Sequence, residues 1–493
     1  MEKPASVSDT DGRRRLTSFL EETDLRKFIE SQLESNSRIK ALSFTFPVPA
    51  FDPLACLEML PGTNQSSTFY WEKPDQELAL AAGGEAGTLQ SSGADRFNDI
   101  AQQIEQLKQQ TGSYTAVRHS LAGIHLVGGF SFFDTIESEA WSSFGAGTLT
   151  LPEWLLVRDG KLCLLTTTIP LQPNDTPETI AGHLRDSVQK FDRLFELQIQ
   201  PDGFNNNSFS QLDQDEFANT PEEQWTGIVE RARELIDRQR FEKIVLAREV
   251  KRRLREPVVP TQVMNILRSQ YPSCYNFMIQ TSSGSVFLGS SPERLVSFHK
   301  NYLLTDSLAG SISRGKTATE DLHLERNLMN SRKNRREHQF VTNAIENHLQ
   351  PFISRIERSD DPDIKKLKNV QHLHTPVRAW LKEESSRFFI LSKLHPTPAV
   401  GGYPREKAVP YIRELEQFDR GWYAGPVGWF NLEGGGEFSV AIRSCLIDGN
   451  CARLYAGCGI VNDSDPHTEW EETNLKLMPI LSALESNEGS SSE

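Results

Sequence analysis

The sequence predicts an α+β protein in which antiparallel sheets are packed between outer helices, and three observations lead there. Short apolar runs joined by tight turns recur: "WLLVRDGKLCLLTTT" turns at Asp159 and Gly160, and "SCLIDGNCARLYAG" turns at Asp448 and Gly449. An Asp-Gly pair favours the hairpin turn whose twist matches paired strands. Long stretches with apolar residues three and four apart read as helices. The two kinds of segment do not alternate regularly, as the crossover units of a parallel sheet would.

The chain has 493 residues and a formal net charge of −14, with a pI near 5.4. That length suits two or three average domains or one large enzyme fold. The acidic balance argues against a general nucleic-acid or anionic-membrane binder, which needs a basic surface. No run approaches the roughly 18 apolar residues of a membrane-spanning helix, and the start "MEKPASVSDTDGRRRL" lacks the apolar core of a secretory signal. A soluble, acidic protein of the cytoplasm is the expectation. Cys56, Cys163, Cys274, Cys445, Cys451 and Cys458 are scattered without a Cys-x-x-Cys pair. Packed, reduced thiols are therefore expected rather than a zinc site or a disulfide framework.

Taken in order, "LAAGGEAGTLQSSGAD" (80–95) and "PDGFNNNSFSQLDQDEFANTP" (201–221) read as linkers, rich in Gly, Ser, Asn and Asp. The second divides an N-terminal part, 1–205, from a denser region, 215–485, with 486–493 as a disordered tail. In "TPEEQWTGIVERARELIDRQ", Thr220 can cap a helix, Pro221 suits its first position and Glu223 completes a capping box. Trp225, Ile228, Val229, Ala232, Leu235 and Ile236 form its apolar face. A strand follows from Lys243 in "RFEKIVLAREV", and "YNFMIQTS" and "GSVFLGSSPERLVSF" add more. A second helix spans roughly 320–350, with Phe340, Val341, Ala344, Ile345 and Leu349 as its stripe. In "LSKLHPTPAVGG" (391–402) a short apolar strand runs into His395 and then a rigid turn poor in side chains. A third helix begins near Asp465 and Pro466 and runs through "HTEWEETNLKLM".

Several charges fall on unexpected faces. Glu337 precedes Phe340 and Val341 by three and four residues, which puts it on its helix's apolar side. An ion pair with Arg335, Arg336 or another basic group, a metal, or protonation would relieve a carboxylate there. Glu469, Glu472 and Lys476 stack on one face of the third helix. They read either as a solvated charged face or as carboxylates around a cation. Carboxylates from two helices, without clustered Cys or His, suit a hard ion such as Mg²⁺. Lys243 is an ordinary strand-end lysine or, if desolvated, a base. Glu293 is a turn carboxylate at a strand entrance. Gly457 and Gly459 in "YAGCGIV" offer backbone amides that could hold an anion.

In chain order, "FEKIVLARE", "GSSPERLVSF", "LAGSISRG", "RREHQFV", "QHLHT", "LHPTPAVGGYP", "DRGWYAGPVGWF", "GEFSVAIRS", "LYAGCGIV" and "EWEETNLK" resemble the chorismate-utilising enzymes, the family of anthranilate synthase component I and isochorismate synthase. The match covers about 215–485, and more loosely the earlier residues through "GGFSFF". The resemblance implies a large chorismate-binding fold and a hydroxyl exchange on chorismate. Lys243 matches the base that activates water, and Glu293 the acid that protonates the departing hydroxyl. Glu337 and Glu472 match Mg²⁺ ligands, with Glu469 acting through a water. Tyr423 and Arg443 match the grip on the enolpyruvyl carboxylate. Gly457, Gly459, Lys476, Gly310 and Ser311 resemble the rest of the substrate site, and His395 a positioning histidine. Asn334 departs from the acidic residue expected there, which removes an outer contact near the metal.

Within the family, members that use ammonia or eliminate pyruvate tend to carry Thr at the position of Ala399. "HPTPAVGG" is similar instead to isochorismate synthases, so that turn is expected to be a small, unreactive wall of the pocket. Salicylate synthase and anthranilate synthase component I are the alternatives, and a non-catalytic chorismate binder is a third. The implied partners are chorismate and Mg²⁺, with no nucleic acid, membrane or glutamine amidotransferase subunit, in a monomer or weak dimer. The product would feed menaquinone, phylloquinone, salicylate or siderophore synthesis.

Overall fold

Two twisted sheets form the scaffold of the computed structural model, which describes residues 15–35, 38–60, 66–196, 212–217, 221–368, 370–383 and 385–485. The larger has 13 strands. From edge to edge they are Leu212–Phe217, Lys243–Leu254, Cys451–Ile460, Ser444–Asp448, Val286–Ser291, Tyr275–Gln280, Thr68–Lys73, Leu78–Gly83, Trp154–Asp159, Leu162–Pro170, Ala41–Val48 and Thr111–Thr115, with Gly402–Tyr403 paired to the start of the Lys243 strand. The smaller has 10 strands: Ile353–Glu357, Val370–Leu381, Tyr302–Ser313, Arg294–Phe298, Gly436–Val440, Pro426–Asn431, His125–Phe130, Gly147–Leu151 and Gly87–Ser91, with Asp363–Lys366 beside Val370–Leu381. Among the described pairings, only Ala41–Val48 against Thr111–Thr115 is parallel. Helices cover the outer faces, as the α+β expectation has it.

Both sheets join the two parts of the chain. Phe277 pairs with Trp71 in the larger sheet and Trp429 with Val127 in the smaller. Trp71, Phe130, Trp141, Tyr275, Trp422 and Phe438 share one core between the sheets. The 1–205 and 215–485 stretches thus share both sheets and one core.

The chain crosses from the larger sheet to the smaller at Pro292 and Glu293 and returns through residues 441–443. The crossings lie side by side: Val440 N donates to Glu293 O at 3.1 Å, and Ser290 N to Arg443 O at 3.0 Å. Gly289 allows this approach, because a Cβ there would stand 2.8 Å from the Arg443 carbonyl. Earlier in the chain the pattern recurs at residues 84–86 and 152–153, where Ala86 N donates to Leu151 O at 2.9 Å.

Some local expectations are corrected. The stretch 80–95 is no linker: it carries the strands Leu78–Gly83 and Gly87–Ser91, in which Gly83 and Gly87 themselves pair in register, with Thr68 and Leu151. Of 201–221, residues 212–217 form a strand and most of the others, like the 486–493 tail and Thr220, lie outside the described residues. Pro221 occupies the N-cap of helix Glu222–Asp237 rather than its first turn. The 320–350 helix is two, Ala318–Asn330 and Arg332–Leu349, separated at Ser331, whose Oγ accepts from Asn334 N and starts the second. The segment before His395 is a helix, Arg387–Leu394, capped by Ser386. Helix Pro466–Glu485 stands where it was expected. All six thiols are free, and only Cys451 is not buried. Among the described residues no helix is long and apolar enough to cross a membrane.

Candidate active site

A cavity of about 230 Å³ opens between the paired crossings, the strand Tyr302–Ser313, the middle of Cys451–Ile460 and the helices Arg332–Leu349 and Pro466–Glu485. Glu293, Gly310, Ser311, Glu337, Ala399, Tyr423, Arg443, Gly457, Gly459, Glu469, Glu472 and Lys476 all line it. The first residue of its strand, Lys243, is 1 % exposed and stands just behind Gly459. A Cβ at Gly459 would fall 2.7 Å from Lys243 Cε and 3.3 Å from Glu337 Oε1, so this glycine leaves a window between the lysine and the cavity. His395 does not line the cavity. It is buried against Phe97 and Phe132, with Nε2 beside the Phe132 carbonyl at 3.0 Å, and burial holds its pKa down to about 3.

Each helix-borne carboxylate meets its own lysine. Lys243 Nζ donates to Glu337 Oε1 at 2.7 Å. Lys476 Nζ lies 2.6 Å from Glu472 Oε1 and donates to the Gly457 carbonyl at 2.8 Å. Lys333 Nζ is 3.8 Å from Glu469 Oε1. Of the ion-pair partners expected for Glu337, it is the other basic group, a lysine from the neighbouring sheet, rather than Arg335 or Arg336. Burial, with Glu472 beside it, raises the pKa of Glu469. At Glu472 burial pushes upward too, but Lys476 outweighs it and holds the carboxyl below its ordinary range.

Glu293 is different. It is 4 % exposed, and its only side-chain hydrogen bond among the described residues comes from Thr397 Oγ1 at 3.4 Å. Burial, reinforced by the negative charge of Asp306, lifts its pKa to about 7. Asp306 stays ionised because His374 Nε2 at 3.2 Å and Arg294 at 3.6 Å outweigh its own burial. The neighbouring carbonyl of Pro292 accepts from the buried end of Lys365 at 2.8 Å. A carboxyl kept half-protonated at neutral pH in a cavity has the property of a general acid.

Arg443 supplies the opposite charge. Its φ of 54° is left-handed, a conformation costly for a side-chain-bearing residue that often marks a functional position. Among the described residues no hydrogen bond or ion pair occupies its guanidinium, and none occupies the Tyr423 hydroxyl, which stands 3.2 Å from where a Gly457 Cβ would be. A desolvated guanidinium without a protein partner is suited to an incoming carboxylate. Gly310 sits at a bulge between Ala309 and Ser311, with φ 78°, and a Cβ there would press to 3.0 Å from Asn334 Cβ. Asn334 lines the cavity with its amide turned to Ser331 Oγ at 2.9 Å.

The sequence reading did not single out Lys333, His372, Thr397, Asp306 or Arg420. His372 lines the cavity, its Nδ1 2.8 Å from Ser311 Oγ, and burial with Arg443 nearby keeps it neutral. The signal was there in "QHLHT", where alternation along a strand puts His372 and His374 on one face.

Residues 27–485 match the family model described as chorismate binding enzyme. The chain is 35% identical over 453 residues to isochorismate synthase MenF of Bacillus subtilis, covering 90% of this chain and 93% of that one. It is 37% identical over 454 residues to the salicylate biosynthesis isochorismate synthase of Pseudomonas aeruginosa, covering 92% of each. The solved structure of MenF, the menaquinone-specific isochorismate synthase of Escherichia coli, is similar with a TM-score of 0.75 and 27% identity, covering 94% of this chain and 99% of that one.

The state of Glu293 is open to direct measurement. A carboxyl whose folded pKa is about 7, against an ordinary 4.5, adds stability that is fully present below the unfolded value. That stability is lost as pH rises through the folded value. Glu293→Gln, which does not titrate, should therefore gain stability relative to the natural protein between about pH 4.5 and 7 and keep a constant margin above. Urea unfolding across that range checks it; a margin independent of pH would show an ordinary carboxylate.

Proposed function

The chain belongs to the chorismate binding enzymes, and from that premise we propose that it is a Mg²⁺-dependent isochorismate synthase, exchanging the 4-hydroxyl of chorismate for a hydroxyl at ring carbon 2. The observation that carries the reading is Glu293, a carboxyl raised to about 7 in a cavity that also holds an unpaired Arg443 and opens through Gly459 onto Lys243.

Each residue has one task. Lys243, as the neutral amine, accepts a proton from a water as the water's oxygen bonds to ring carbon 2. Glu293 gives its proton to the hydroxyl on ring carbon 4, which leaves as water while the ring double bonds shift. One water enters and one departs, so substrate and product are isomers. Arg443 and Tyr423 receive the enolpyruvyl carboxylate, and Lys476 adds positive charge beside Gly457. Ala399, a methyl group at the wall, offers no hydroxyl to a competing nucleophile.

The residues fit Mg²⁺. The donors are oxygen only, from Glu337 and Glu472 with Glu469 beside them. With Lys243 neutral as the base, the ammonium groups of Lys333 and Lys476 answer only two of the three carboxylates, so two substrate carboxylates against Arg443 alone leave the site short of positive charge. Among the described residues no three acidic, His or Cys groups are gathered into a ready cage, as expected of an ion that keeps several waters and completes its shell with substrate. Bound there, the ion would hold the ring carboxylate and offset the charge around it.

Three outcomes follow. Chorismate with Mg²⁺ and neither glutamine nor ammonia should yield isochorismate, identified by chromatography; anthranilate or salicylate as the main product would put this chain among the other synthases. Lys243→Ala should lower turnover on the order of 10²–10⁴-fold, the usual cost of removing a general base, with circular dichroism unchanged. A variant retaining most of its turnover would exclude Lys243. Finally, calorimetric titration should show Mg²⁺ binding tightened by a chorismate analogue, since coupling between binding sites is reciprocal, and weakened in Glu337→Gln or Glu472→Gln. Equal affinity in all of these would leave the glutamates as ion-pair partners only.

A further inference from the structure

We infer that Arg420, held by Glu416, is a positioning residue for this reaction: it ties the cavity wall that carries Ala399 to the strand that carries Lys243. The inference rests on the reading of the site as one that aims a water at bound substrate.

The argument begins with a gap in the sheet. On the outer side of the Lys243–Leu254 strand, Gly402–Tyr403 pairs only with Lys243 and Ile244, and Leu212–Phe217 only with the far end, Lys251 to Leu254. Backbone groups between these two strands need partners if they are buried. Two of them are met by side chains. Val245 O accepts from Arg420 Nη2 at 2.8 Å, and Ala247 N donates to Glu416 Oε1 at 2.7 Å. The same guanidinium sends Nη1 to Val400 O at 2.9 Å and Nε to Glu416 Oε2 at 2.8 Å. Val400 follows Ala399, and Val245 lies two residues beyond Lys243. One planar group therefore spans the two walls.

Its own position is fixed. Arg420 and Glu416 are each 1 % exposed at their side chains, and the guanidinium lies 4.2 Å from the Phe132 ring centre. The next residues are anchored too: Gly421 N donates locally to Asp419 Oδ1 at 2.9 Å, and Trp422 Nε1 donates across the molecule to Gly145 O at 2.7 Å. A Cβ at Gly421 would fall 2.1 Å from the Trp141 ring. Buried ion pairs are poor stabilisers, often replaceable by apolar residues without loss. A pair whose donors end on two carbonyls of opposite cavity walls is accounted for by geometry.

The test compares Arg420→Lys with the double variant Arg420→Met/Glu416→Gln. In the double variant no buried charge is orphaned, and the glutamine can still accept from Ala247 N. Lysine keeps the charge but lacks the planar fork that reaches two carbonyls and a carboxylate together. Both variants should fold, by circular dichroism and melting temperature. Both should lose kcat on the order of 10²-fold, the scale of loss from misplacing reacting groups by about an ångström, with KM changed less than about threefold. A folded double variant with kcat within about threefold of the natural protein would overturn the inference. So would full activity in Arg420→Lys, since charge alone would then suffice. If the double variant does not fold, Arg420→Lys decides alone. Should the natural protein make a product other than isochorismate, the function proposed above fails, and turnover to that product still reads the clamp.

Discussion

Charge buried between the sheets has to be answered group by group, and the architecture of the cavity follows from how it is answered. Glu337, Glu472 and Glu469 come from two helices, and each meets a lysine within 4 Å. Lys243 is 1 % exposed, and stranding a charge buried that far typically costs about 3–5 kcal/mol. Lys243 must therefore lie where the Glu337 helix passes its strand, and Gly459 must lack a side chain for the two to meet beside the cavity. Among the described residues Glu293 has no such cation, and its raised pKa of about 7 leaves it half-protonated at neutral pH instead. Arg443 has no such anion among them. An ion-paired set, one half-protonated acid and one open guanidinium together suit a substrate that brings its own carboxylates.

The crossings between sheets supply the positions. A residue within a strand points above or below its sheet, whereas one at a crossing can point along the seam between two sheets. Glu293 and Arg443 occupy neighbouring crossings locked by reciprocal backbone bonds, so acid and anion grip are placed by the same two turns. The earlier part of the chain builds the same paired crossings at residues 84–86 and 152–153 without an ionisable residue from the proposed machinery. It serves as the partner half of both sheets, and through Gly145 and Trp141 it braces the turn around Arg420 and Tyr423.

Much of this was legible where the pattern was periodic. The helix Glu222–Asp237 showed a clear apolar stripe, Asp465 and Pro466 marked the start of Pro466–Glu485, and the Asp-Gly hairpins at 159–160 and 448–449 declared themselves through turn chemistry. "RFFILSKL" carries an unbroken apolar run at 388–391, too short and uniform for alternation to distinguish its helix from a strand. The break at Ser331 has neither glycine nor proline to announce it; a serine capping the next turn suffices. Spacing brought Glu469, Glu472 and Lys476 to one face, but which lysine neutralises which carboxylate depends on contacts far apart in sequence. Lys243 and Glu337 are 94 residues apart. Arg420 and Glu416, four apart, look like a surface pair, and only the unfilled edge of the Lys243 strand explains why they are buried. The family resemblance, rather than periodicity, brought Lys243, Glu293 and Arg443 together beforehand.

The central claim is that a water oxygen, activated beside Lys243, becomes the new hydroxyl while the old one leaves with a proton from Glu293. Turnover of chorismate in ¹⁸O-labelled water, followed by mass spectrometry of the product before the reaction reverses, measures this directly. The account predicts isochorismate carrying a single ¹⁸O, located at ring carbon 2. Unlabelled isochorismate would mean that the hydroxyl migrates without solvent, and would contradict the roles given to both residues.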